Sequence, residues 1–420
     1  MAVIKWLQNV FEGQKTLSEE RRFYKKIDDQ LVFAPSQPLT VAVECELALL
    51  DANTLRPAHM GLALIEQLAS PQIKKESFEH MVEVTSTIGT TVHETAMQLR
   101  EEMEKLAVAC GEHELLITGT GCPPTIRLAD IRQVPDERYE RLHNERKIIN
   151  ERFGTLGMHV HLGMPDAEQC VRYHNFFMHF VPHLIALSAS SPFEEGVDTG
   201  LASIRPTITE SLPIAGMPYN FKNWQEYVNL CRAMYRAGSI ESLKDLWWDL
   251  RSCPQCGTLE IRICDQPATI AEVLALAAFV HALALWFQKD QGWLAEMPRP
   301  NAWRMRDNKW RAMRYGLNAE LVINNQGETR PIGDDFKLWL ERIRPFVVKL
   351  AYQRYIDTLE NIMARGNSAD RQRRLWSSTQ DLNAVAKFNC DEFAAQTPLW
   401  ERVEQSSDNK EIVAQSIAHG

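Results

Sequence analysis

Four places in this chain carry ionisable residues two positions apart inside otherwise apolar runs. They are Glu44-Cys45-Glu46, His159-Val160-His161, Asp249-Leu250-Arg251 and Glu260-Ile261-Arg262. In a β-strand, residues i and i+2 point to the same face. Four such pairs predict a sheet with one strongly polar face. An ordinary sheet buries apolar groups on one side and scatters polar ones on the other. Acids, histidines and arginines gathered on one face suit a site for metal ions and phosphate.

Composition narrows the partners. With 420 residues the chain can bury a large core, as one big domain or two. Its net charge of -9 argues against nucleic acid as the main partner. An anionic substrate stays open, since local arginine clusters act against the net sign. The N-terminal run has no long apolar stretch, so no signal peptide is read. Val273 to Phe287 is the longest apolar segment, contains His281 and is short for a bilayer. It reads as a buried helix, and no membrane partner is expected. Nine scattered cysteines read as reduced thiols in the cytoplasm. Cys253-Pro254-Gln255-Cys256 has no second CxxC and no thioredoxin-like surroundings. It reads as a turn between two strands.

Periodicity predicts strands over 39–50, 79–86, 115–120, 158–164 and 259–264. Helices are expected over 62–68, 92–110 and 137–153, and from Asp166 to about Ala189 with a break at Pro182. Thr269 should cap a long buried helix to Lys289, with Glu272 at the capping-box position. Residues 1–35 read as a helical lead-in, and 334–404 as amphipathic helices. Trp339, Phe346, Leu350, Tyr355 and Leu359 form an apolar stripe there that reads as packing. The segment 190–218, rich in Gly, Pro, Ser and Thr, reads as a long functional loop. No GxGxxG opens a helix and no GxxxxGK[ST] is present, so a nucleotide must be held another way.

Glu44, Glu46 and Glu83 are acids in apolar strands, and buried carboxylates need a partner or a cation. Two of them on one strand face repel unless a cation lies between. Hard oxygen ligands suit Mg2+ or Mn2+, with His159 adding an imidazole. Arg205, Arg251, Arg262 and Arg314 are candidate phosphate or carboxylate donors, Arg262 foremost. Each could instead be an ordinary ion-pair partner. His174, His179 and His183 lack the HExxH pattern and read as core or surface histidines. No GxSxG nucleophile motif is found.

These segments resemble the type 2 glutamate–cysteine ligase family. The resemblance rests on Thr40 to Leu47, Glu83 to Ser86, Gly157 to His161, Leu187 to Phe193, Asp198 to Arg205, Trp248 to Arg251, Gly257 to Asp265, Arg314 to Leu317 and Asp370 to Arg374. It runs from about residue 38 to about 394. Gly-Met-His-x-His is also similar to glutamine synthetase. The implied fold is α+β: a curved, mainly antiparallel sheet flanked by helices, with a polar active-site face. The implied organisation is a lead-in over 1–37, a glutamine synthetase-like catalytic domain over 38–333 and a helical extension over 334–420 packed on it.

By the same resemblance, Glu44, Glu46, Glu83, His159 and Glu260 are metal ligands, and His161 neighbours the phosphates. Arg262, Arg205 and Arg251 bind phosphate or substrate carboxylate, and Arg314 contacts the nucleotide. Cys45 stands where many relatives carry a third acid, but strand alternation puts it on the opposite face. The implied reaction uses ATP and Mg2+, with Mn2+ as an alternative ion. It joins glutamate to cysteine or another amine through an acyl phosphate. A metal-dependent hydrolase and a non-catalytic binding protein remain competing readings. Homodimerisation is the default expectation for such an enzyme.

Overall fold

Seven antiparallel strands form the sheet that positions the polar residues: β1 (Val41–Asp51), β2 (Ile73–Lys75), β3 (Met81–Thr85), β4 (Leu115–Thr118), β5 (Met158–Gly163), β6 (Leu250–Cys253) and β7 (Thr258–Ile261). Their order is β6-β7-β5-β1-β3-β2, and β4 pairs with the far end of β1. The computed structural model describes residues 23–293 and 301–403. The first 22 residues of the expected lead-in lie outside them, and a helix runs over 23–31.

β1 is central because its alternation serves both faces. Val41, Val43, Cys45 and Leu47 are fully buried against helices, whereas Ala42, Glu44 and Glu46 open onto the other side. Cys45 therefore lies in the core, away from the acids. Helix Val92–Glu112 and the long helix Ile270–Lys289 share one continuous core with these strands. Each fully buried leucine or valine there contributes about 1.5–3 kcal/mol. Ile270–Lys289 is long and apolar enough to cross a membrane, but 83% of its most apolar window is buried inside the protein. Its one imidazole is satisfied: His281 Nδ1 lies 2.8 Å from the Tyr352 hydroxyl, which accepts from the Val92 amide at 2.7 Å.

Helices Ile332–Lys349, Gln353–Arg365, Ser368–Thr379 and Leu382–Ala395 cover the expected helical region. Trp339, Tyr355 and Leu359 join the main core, with Phe346 and Leu350 packed against it, so the stripe is packing. The capping at Thr269 differs from expectation. Thr269 Oγ1 accepts the Glu272 amide, but Glu272 does not reach back to the cap's own amide. Arg371 claims the carboxylate at 2.9 Å and pairs with Glu392 at 2.7 Å, all fully buried. The helix expected over 137–153 divides at Lys147, whose φ of 54° cannot continue a helix.

Candidate active site

Strand register aligns the acids and histidines. Glu44 lies opposite His159 across β1 and β5, and Glu46 opposite Glu83 across β1 and β3. Glu260 lies opposite His161 on one side and Arg251 on the other. All of these side chains share one sheet face. His159 Nδ1 is 3.0 Å from Glu44 Oε2 and 3.7 Å from Glu260 Oε1. His161 Nε2 is 3.3 Å from Glu44 Oε1 and 3.9 Å from Glu260 Oε1. Arg251 donates to Glu260 at 2.8 and 3.1 Å, and Arg262 donates to the same carboxylate. A cavity of about 430 Å³ opens over this face. Its walls include Glu44, Glu46, Glu83, His159, Arg251 and Arg262.

The hairpin between β6 and β7 holds Arg251 and Glu260 together. Cys253 to Cys256 forms its turn, as expected, and Gly257 completes it at φ +64°. A side chain at 257 would collide with the Ala34 carbonyl, so glycine is required. Gly157 meets a second close approach, because a Cβ there would run into the Arg205 guanidinium.

Burial acts to raise Glu44, Glu76, Glu83 and Glu260, and neighbours then pull them apart. Burial pushes Glu44 up, but hydrogen bonds with His159 and His161 more than offset it and hold the group well below the usual range. Glu260 is likewise held low by Arg251 and Arg262 despite its burial. Burial and the Glu44 charge push Glu83 up to about 7. Glu76 is pushed well above its ordinary value by burial, then by Glu46 and Glu83. His161 resists desolvation and rises to about 9, through its bond to Glu44 and the charge of Glu260.

Protonation is one way to relieve crowded carboxylates, and a divalent cation is another. The donor geometry fits cations. Two sets, Glu44 with Glu83 and His159, and Glu44 with His161 and Glu260, each place three ligand atoms within 4.8 Å of one another. His159 Nε2 is buried and makes no hydrogen bond among the described residues. His161 Nδ1 is held by Thr258 Oγ1 at 3.0 Å, which leaves Nε2 facing the acids. The carboxylates suit Mg2+ or Mn2+, whereas the imidazoles are donors that Zn2+ accepts more readily.

The family profile described as "Glutamate-cysteine ligase family 2 (GCS2)" matches residues 40–387. The chain belongs to this family. It is 36% identical to a "Putative glutamate--cysteine ligase 2" of Bdellovibrio bacteriovorus, over 86% of this chain and 96% of the relative. It is 34% identical to a protein of the same description from Thermobifida fusca, over 87% and 94% of the two chains. Among solved structures, a glutamate–cysteine ligase from Francisella tularensis in complex with AMP superposes with a TM-score of 0.62. The sequence identity is 14%, and the match covers 91% of this chain and 96% of that one. A bifunctional glutathione synthetase from Pasteurella multocida gives 0.59 at 15% identity, over 90% of this chain and 53% of that one. Both carry the α+β fold that the sequence led us to expect. The protein is an enzyme of the glutamate–cysteine ligase type.

Within this family member the remaining expected residues have distinct places. Arg205 is buried at the cavity wall, where its Nη1 donates to the carbonyls of Arg262, Ile263 and Cys264 at 3.2–3.4 Å. It fixes the chain segment that carries Arg262. Arg314 is exposed, donates to the Gly200 carbonyl, stacks on Tyr315 and does not line the cavity. Asp249 faces the cavity but is neutralised by buried Lys309 at 2.5 Å. The 190–218 segment is anchored, not free. Ser191 and Ser203 donate to fully buried Asp265 at 2.7 and 2.9 Å, and the segment gives Arg205 and Thr209 to the cavity wall.

Sequence reasoning missed Glu76 and Lys309. Glu76 follows a three-residue strand, too short for alternation to show. Lys309 lies on Ala302–Tyr315, where its inward turn is hidden among several basic residues of the same helix. In sequence Glu76 closes the short charged run Lys74-Lys75-Glu76, which reads as solvent-facing.

Proposed function

We propose that the protein is an ATP-dependent carboxylate–amine ligase. It would join the γ-carboxylate of L-glutamate to the amine of L-cysteine through an acyl phosphate, giving γ-glutamylcysteine, ADP and phosphate. The observation that carries this reading is the convergence of two cation-ready donor sets with Arg251 and Arg262 on one cavity. Family membership and the printed names of the relatives support the same class.

A carboxylate is a poor electrophile, and phosphorylation turns it into a good one. Phosphoryl transfer demands alignment and charge neutralisation more than a protein nucleophile. Glu44, Glu46, Glu83, His159 and Glu260 would hold Mg2+ or Mn2+, which when bound neutralises nucleotide phosphates. His161, fixed by Thr258, would border those phosphates. Arg262 would stabilise charge on the moving phosphoryl group, and Glu260 orients it. Arg251 shares Glu260 and extends the cationic edge toward the substrate carboxylate. Arg205 acts through Arg262 by fixing its backbone. All nine cysteines are free thiols, which suits a reducing cytoplasm.

The test is ADP release by the purified chain with ATP, Mg2+ and glutamate, while amines are added one at a time. ADP formation that needs both glutamate and cysteine, with γ-glutamylcysteine as product, supports the proposal. A requirement for another amine keeps the ligase and removes cysteine. ATP cleavage that no acid–amine pair stimulates removes the ligase reading.

A further inference from the structure

A second cavity, of about 320 Å³, lies away from the acids, between helix Val181–Ser188, helix Ala302–Tyr315 and the start of Ile332–Lys349. Its volume is in the range of small-molecule sites. Its described walls carry three arginines, Arg304, Arg330 and Arg342, against a single acid, Asp335. In a chain of net charge -9, that local excess of positive charge is against the trend.

Asp335 is already committed. It accepts from Arg330 at 2.6 Å and lies 3.0 Å from His183 Nε2. Arg342 stacks on Trp339 at 4.5 Å at the rim. Arg304 is the unusual group. It is 5% exposed, and only its Nη1 is engaged, by the Ile323 carbonyl at 3.3 Å and Asn325 Oδ1 at 3.4 Å. Among the described residues no carboxylate lies within ion-pair range of it. Burial draws its pKa down with no neighbouring acid to oppose the shift. The other nitrogens of Arg304 open onto the cavity, where an anion could meet them. Trp293 and Trp339 add flat apolar walls beside it.

We propose that this second cavity binds a small organic oxyanion. Its carboxylate or phosphate head would rest on the free edge of Arg304, and its apolar body against Trp293 and Trp339. Arg342 would close over the head from the rim. The guanidinium fork suits both heads, because each presents paired oxygens. The site is independent of the catalytic cavity and of the proposed reaction.

Crystals of the full chain soaked separately in tungstate and in 4-bromobenzoate would test this by anomalous scattering. Tungstate stands for a phosphate head and 4-bromobenzoate for a carboxylate on an apolar ring. A peak within hydrogen-bond reach of Arg304 for either probe is expected, and the probe that binds names the head group. In solution, Arg304→Met should weaken binding of that probe about tenfold or more, the loss of a charge-assisted hydrogen bond. If Arg304→Met fails to fold, Arg342→Gln at the exposed rim should weaken it in the same direction. Peaks confined to the catalytic cavity, no peak at all, or equal affinity in the folded variants would overturn the proposal.

Discussion

Glu260→Gln is the sharpest perturbation of the catalytic face, because it removes one charge and almost no volume. Glu260 is 1% exposed and accepts from Arg251 at 2.8 and 3.1 Å and from Arg262, with both site histidines within 3.9 Å. Losing one partner of a buried ion pair costs about 3–5 kcal/mol. Arg251 and Arg262 keep side-chain exposures of 16% and 18% toward the cavity, so water reaches them. The expected stability cost is therefore about 1–3 kcal/mol, the range for an unsatisfied buried polar partner. The catalytic cost should be larger, on the order of 100–1000-fold in turnover. Urea unfolding and ADP release on the same preparation separate the two. A folded variant with turnover within about tenfold of the original would refute the role given to Glu260.

Three other substitutions test the surrounding fold. Gly257→Ala places a side chain at φ +64° against the Ala34 carbonyl. It should cost at least about 1 kcal/mol and lower turnover through the β6–β7 hairpin; unchanged urea midpoints would sink this. Arg371→Met strands Glu272 and Glu392 in the core and should cost about 3–5 kcal/mol, and a loss below about 1 kcal/mol would contradict the buried triad. His80 is fully buried, both ring nitrogens lack partners among the described residues, and burial holds its pKa down to about 3. The unfolded chain takes up this proton near 6.5 while the folded chain does not. Its contribution is complete above 6.5 and is lost as pH falls toward 3. His80→Leu should flatten that acid limb in urea midpoints measured across pH, and an unaltered limb would count against it.

Much of the site was legible because strand alternation is a strict rule. Glu44, Glu46, His159, His161 and Glu260 were each placed on one face from a spacing of two, and register brought them together. Arg314 shows the limit of that rule. It lies on a helix remote in sequence, and nothing local says whether its long side chain turns to the cavity or to solvent. Lys309 fails for the same reason in the opposite direction, being a basic residue on a basic helix that turns inward to Asp249. The capping box at Thr269 was a local pattern that tertiary structure overrode. Arg371, 99 residues away, takes one Glu272 oxygen and the Thr269 hydroxyl donates to the other, so neither reaches the cap's own amide. Segment 190–218 reads as a long functional loop by composition, and its serines converge on Asp265, a contact no local pattern reveals.

Isotope transfer addresses the proposed chemistry most directly. The purified chain would be incubated with ATP, Mg2+, cysteine and glutamate labelled with 18O in the γ-carboxylate, and the released phosphate analysed by mass spectrometry. If the carboxylate attacks the γ-phosphorus and the amine then displaces phosphate from the acyl carbon, each phosphate carries one 18O away. One labelled oxygen per phosphate is the expected result. Product formed with unlabelled phosphate would contradict activation through an acyl phosphate.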